Sequence, residues 1–157
     1  MKWLFVKAVL IVWLFMMIVG FVGKNHVKDI DFDTFVNSIV KEEHKTGMVE
    51  CSTLKIKEVY GINKDECEGC VLYMAEDTMD VREILIIKAS SESQIESFKT
   101  SIEQRLEKQK KSFDGYGIEQ TKLLNDSVIK IKGKYVMFVV NENTQQFEKA
   151  FDDVLMK

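Results

Sequence analysis

From Phe32 onward, apolar residues fall three and four apart, at Phe32, Phe35, Val36, Ile39 and Val40, which lays a single stripe along a helix. Asp31 or Asp33 is placed to cap its start, and the helix is expected to end before Gly47. Ser52 opens a shorter helix running through Val59, and Gly61 supplies the left-handed residue that stops it. The pattern then changes period. Val71 to Ala75 and Arg82 to Lys88 read as two strands joined by the polar loop E-D-T-M-D. The second is almost wholly apolar, which predicts a central strand covered on both faces.

Ser91 and Gln94 form a capping box for the longest helix, whose stripe of Ile95, Phe98, Ile102, Leu106 and Phe113 keeps helical period until Gly115. A short helix is predicted over Ile118 to Leu124. Two further strands, Val128 to Lys132 and Tyr135 to Val140, meet at Gly133-Lys134, a two-residue connection suited to a type II′ hairpin. Asn143 with Gln146 caps a last helix that buries Phe147, Ala150, Phe151, Val154 and Leu155. The expected order is αα-ββ-αα-ββ-α, an α+β fold in which helices pack on a four-stranded, mainly antiparallel sheet.

Ahead of this domain the pattern is of another kind. Ala8 to Gly23 carry no charge, and Trp3 to Val6 extend the run beyond Lys7. At about 1.5 Å per helical residue the stretch can cross a hydrocarbon core of about 30 Å if Lys7 directs its ammonium to the headgroups. No small-residue cleavage site follows, since cutting after Gly20 or Gly23 places Ile18 or Phe21 at the −3 position. The expected organisation is an uncleaved signal-anchor over 1–23, one transmembrane helix, a tether over 24–31 and one extracytoplasmic domain over 32–157. The short leading tail favours the arrangement with the N-terminus inside and the domain outside.

All 25 acidic residues lie after Gly23, so the domain is net acidic. An acidic surface excludes a nucleic-acid partner, which needs a basic stripe to displace counterions from phosphates. The absence of proline, of Gly/Ser-rich linkers and of internal repeats argues against a second domain boundary.

Cys67-Glu-Gly-Cys70 is the sharpest short string, since C-x-x-C can be a redox pair or half a zinc site. A low-pKa redox centre wants a helix after the motif, whereas a strand follows here, and Asp65, Glu66 and Glu68 oppose thiolate formation. A zinc site would have to draw Cys51 and His44 to Cys67 and Cys70 from irregular spacing. The cysteines therefore read first as small apolar fillers, with a thiol-redox or zinc-dependent protein built on Cys51, Cys67 and Cys70 as the alternative. A second group is polar. Arg105 and Gln109, four apart, share a face of the longest helix beside its apolar stripe, near Tyr116, Gly117 and Gln120, and Glu83 of the second strand is counted with them. Such a group either forms a small binding pocket or satisfies structural hydrogen bonds at the helix end. No esterase elbow, metalloprotease, phosphate-loop or dinucleotide fingerprint is present, so the sequence calls for no cofactor and no catalytic residue.

Four strings carry a resemblance: Arg82-Glu83 leading into apolar strand residues, R-x-x-x-Q at Arg105 and Gln109, S-F-x-x-Y-G-x-x-Q from Ser112 to Gln120, and G-x-Y at Gly133 and Tyr135. Over Arg82 to Val140 the chain resembles a family of bacterial envelope proteins, found mainly in Firmicutes and catalogued only as a domain of unknown function. Its members typically sit behind a lipoprotein signal or a membrane anchor. The resemblance implies an extracytoplasmic domain held at the cell membrane; this chain departs from the lipoprotein pattern in lacking a cysteine after its apolar run. The expected role is a non-catalytic interaction or scaffold module that holds an envelope protein or a wall or lipid component near the membrane.

Overall fold

The computed structural model describes Trp3, Lys7, residues 11–13, Met16 and residues 27–156. The expected membrane anchor lies for the most part outside the described residues, and among those described no helix is long and apolar enough to cross a membrane. Five strands form one antiparallel sheet, β1 (Met48–Glu50), β2 (Cys67–Ala75), β3 (Glu83–Ala89), β4 (Val128–Lys132) and β5 (Tyr135–Val140), in the order β1-β2-β3-β5-β4. Among the described residues five α-helices cover it: α1 (Phe32–Ile39), α2 (Thr53–Tyr60), α3 (Ile95–Phe113), α4 (Ile118–Asn125) and α5 (Thr144–Met156).

The four-stranded expectation is corrected by β1. After α1 ends at Ile39, a short 3-10 turn over Glu42–Lys45 and Gly47, at φ +71°, redirect the chain so that Met48 to Glu50 pair with Tyr73 to Ala75. Three residues with one buried side chain carry no readable period, so only the pairing defines this strand. The order therefore becomes α-β-α-ββ-αα-ββ-α. β2 also begins earlier than expected, at Cys67, with a register shift between Cys67 and Gly69. That bulge seats the backbone of Gly69 against Phe32, where any Cβ would lie 2.2 Å from the ring.

The local signals act where the sequence places them. The Asp31 carboxylate accepts the Thr34 N–H at 3.1 Å, and the Ser52 hydroxyl accepts that of Lys55 at 3.3 Å. Gly61, at φ +69°, closes α2. In the β4–β5 turn only Gly133 has positive φ, as a type II′ connection needs. β5 is apolar on both faces and takes the place beside β3, while β4, with Lys130 and Lys132, lies at the edge where charge blunts further pairing.

Alternation along the strands sorts the core into two layers. Leu85, Ile87, Leu72, Val136 and Phe138 face α2, α3 and α4, whereas Ile84, Ile86, Tyr73, Met137 and Val139 face α1 and α5. Every residue of β3 is buried, as expected for its apolar run. Ile84 to Ile87 are fully buried, each such side chain stabilising by about 1.5–3 kcal/mol relative to exposure. β3 thus carries Glu83 at one end toward the first layer and Lys88 at the other toward the second.

Candidate functional site

Glu83 begins β3 with its side chain turned into the first layer, only 1% exposed. A buried carboxylate is costly unless its charge is compensated and its lone pairs are used, and three elements converge to do so. Tyr60, the last residue of α2, donates its hydroxyl to Glu83 Oε1. From α3, Gln109 Nε2 donates to Glu83 Oε2 at 2.9 Å, and Arg105 Nη2 lies 3.1 Å from the same oxygen. Because Arg105 and Gln109 are one helical turn apart, both reach the carboxylate from one face. Burial, and then the neighbouring Glu83 charge, push the Tyr60 phenol well above its ordinary value, so it remains a proton donor across the physiological range.

An open cleft of about 680 Å³ lies beside this cluster. β1, α2, the loop over residues 76–82 and the C-terminal half of α3 wall it, with Val49, Met79, Arg82, Arg105, Gln109 and Tyr116 among its lining. Arg82 holds the loop in shape: its Nη2 pairs with Asp80 Oδ2 at 2.6 Å and its Nη1 donates to the Thr46 carbonyl at 3.3 Å. Gln120 pins the same loop from α4 by donating to the Met79 carbonyl at 3.1 Å.

Of the residues singled out in the sequence, Glu83, Arg105 and Gln109 meet in one hydrogen-bonded cluster. Tyr116 lines the same cleft as Arg105 but remains 65% exposed, with its hydroxyl donating to the Ser112 carbonyl and its ring 5.8 Å from that of Phe113. Gly117 lets α4 start against α3, since a Cβ there would lie 2.8 Å from the Phe113 ring. Tyr60 is the member that sequence reasoning missed. Its available signal was its place at the end of an amphipathic helix, four residues after Ile56, because a buried tyrosine needs a partner for its hydroxyl.

The cysteines tell a different story. All three are free thiols, and Cys51, Cys67 and Cys70 border or enter the first-layer core. Burial raises Cys51, with Glu83 adding to the shift, and pushes Cys67 up to about 11 and Cys70 up to about 12. His44 is not with them. It packs on Phe147 of α5, ring centroids 4.4 Å apart, in the opposite layer from Cys70. Among the described residues no three His, Cys, Asp or Glu side chains are grouped to hold a metal ion.

Fold and site together define a class: a mixed α/β domain with one antiparallel sheet, layered by helices, that closes over a buried, hydrogen-bonded carboxylate beside an open cleft. Residues 41–141 match the family described as Domain of unknown function (DUF4358), and the chain belongs to that family. No curated protein and no solved structure matches it. The matched span holds all five strands and the whole Tyr60–Glu83–Arg105–Gln109 cluster, and extends well ahead of the Arg82–Val140 stretch whose strings carried the resemblance.

Proposed function

We propose that this chain is a membrane-tethered extracytoplasmic binding domain of the bacterial cell envelope, non-catalytic, which holds an envelope protein or a wall or lipid component in the cleft beside Glu83. The observation that carries the reading is the state of Glu83. Both carboxylate oxygens already accept hydrogen bonds, one from Tyr60 and the other from Gln109 and Arg105, which supports a role for the cluster in holding the cleft wall rather than as a free base. The thiols, held protonated by burial, are poor nucleophiles and metal ligands. The cleft rim offers apolar surface at Val49, Met79 and Tyr116 beside the charged Arg82 and Asp80, a mixture suited to recognition.

The test separates rim from floor. Full-length chain in detergent-solubilised membranes is cross-linked through the cleft, and the captured species are compared for Met79→Glu, Tyr116→Ala and Tyr60→Phe. Rim changes are expected to abolish capture while the melting temperature moves by no more than a few degrees. Tyr60→Phe is expected to lower the melting temperature. Capture indifferent to both rim substitutions would overturn the assignment of the cleft.

A further inference from the structure

Residues 27–31, which the sequence presents as a tether, are gripped by the sheet. Lys88, with its side chain only 8% exposed, reaches Asp29 Oδ1 at 2.7 Å and donates to the Ile30 carbonyl at 2.9 Å. Lys88 also reaches Glu68 Oε2 at 2.9 Å, and Lys134 holds the other Glu68 oxygen at 2.8 Å. The Tyr135 hydroxyl accepts the Ile30 N–H at 2.7 Å and lies 3.2 Å from Asp29 Oδ1. Val27 lies against Gly133, where a Cβ would sit 3.1 Å from its methyl group, so the glycine that the turn's positive φ calls for also gives the passing chain room. An amide, a carbonyl, a carboxylate and an apolar side chain of one five-residue stretch each find a partner on β3, β5 or the β4–β5 turn.

The position of this grip in the sheet is informative. Lys88 pairs with Tyr135 at one end of β3, and Glu83 pairs with Val140 at the other. Five residue steps separate them, about 17 Å along the strand, and they face opposite layers. The segment leading back toward the expected anchor and the cleft therefore occupy opposite ends of the sheet.

We propose that residues 27–31 are a latched strap that fixes the domain's orientation on its anchor and points the cleft away from the membrane. The proposal rests on the membrane-tethered reading for the meaning of that orientation, while the latch itself stands on the contacts of Lys88 and Tyr135. A free linker would let the domain tumble and present the cleft in every direction, including into the bilayer surface. A latched one keeps the cleft at a set height, where a partner on or near the wall can be met repeatedly without reordering the chain.

Full-length chain in phosphatidylcholine/phosphatidylglycerol vesicles tests both parts. Hydrogen exchange at the Ile30 amide is expected to be at least about tenfold slower than in an Asp29→Asn/Tyr135→Phe double variant. The fold is expected to survive these changes, since Asp29 is exposed and the Tyr135 ring packs on Phe35 at 4.6 Å; Asp29→Asn alone serves as the milder second variant. Energy transfer is then read from a dye at Thr78→Cys, with Cys51 and Cys67 replaced by alanine, to acceptor-labelled headgroups. Low transfer in the parent that rises when the latch is broken is the expected result. Ile30 exchanging at the unprotected rate in the parent would overturn the latch, and transfer unchanged by the double variant would overturn the orientation. Release of the chain by a carbonate wash would instead overturn the anchor reading, with the exchange result still deciding the latch.

Discussion

Single side chains in this domain are decided by how their polar atoms are satisfied. Among the described residues Arg105 supplies the one compensating charge that touches Glu83, so Arg105→Met keeps most of the packing volume and strands a buried carboxylate. That change is expected to cost about 3–5 kcal/mol in denaturant unfolding, whereas Tyr60→Phe, which removes one hydrogen bond to a charged acceptor, is expected to cost about 1.5–3 kcal/mol. Equal, sub-kilocalorie costs would mean that water reaches the carboxylate. The thiols make a second test. With Cys67 pushed up to about 11, only about one molecule in a thousand carries the thiolate at pH 8. Alkylation of the folded chain should therefore be far slower than that of glutathione, with a rate that keeps rising toward pH 11. A Cys67 that reacts at the glutathione rate at neutral pH would restore the thiol-enzyme alternative.

Whole elements respond to pH through the strap and its partners. The hydrogen bond and charge of Lys88 hold Asp29 below the usual carboxylate value of 3.8, and hydrogen bonds from Lys134 and Lys88 hold Glu68 below 4.5. A depressed carboxylate contributes stability above its unfolded-state value and loses it as pH falls through the folded one. The Lys88 ammonium pays a burial penalty that Asp29 and Glu68 overcome, which raises it above the ordinary 10.5, so its share is present at neutral pH and is lost only above that value. Exchange protection at Ile30 is therefore expected to be flat from about pH 5 to 9 and to fall below about pH 4. A drop centred between pH 6 and 7 would implicate a histidine and refute this assignment.

At the scale of the molecule, the proposed membrane attachment rests on the apolar run over residues 3–23. After carbonate washing the chain is expected in the membrane pellet, and protease added outside intact cells is expected to digest the domain. Chain found in the medium, or protected until the cells are lysed, would reject the topology. Under the strap proposal, digestion should begin away from residues 27–31 and reach them only after the sheet has opened, because their backbone groups are bonded to Lys88 and Tyr135.

What the amino-acid order determined by itself was everything that local period and capping control. The stripe of α3, the Ser52 and Asp31 caps, the Gly61 stop, the glycine-led hairpin turn and the apolar β3 all follow from neighbours within one or two turns of chain. Arg105 and Gln109 could be placed on one face for the same reason. Only the tertiary structure decided that β5 inserts beside β3, that three residues after Gly47 become a fifth strand, that Tyr60 completes the Glu83 cluster while Tyr116 stays at the rim, and that His44 lies across the sheet from Cys70. These outcomes depend on contacts between residues tens of positions apart, such as the 23 that separate Tyr60 from Glu83 and the 105 that separate Ile30 from Tyr135. Such contacts are chosen by which apolar faces and unpaired polar groups the whole chain can satisfy at once, and that competition leaves no periodic trace in any single segment.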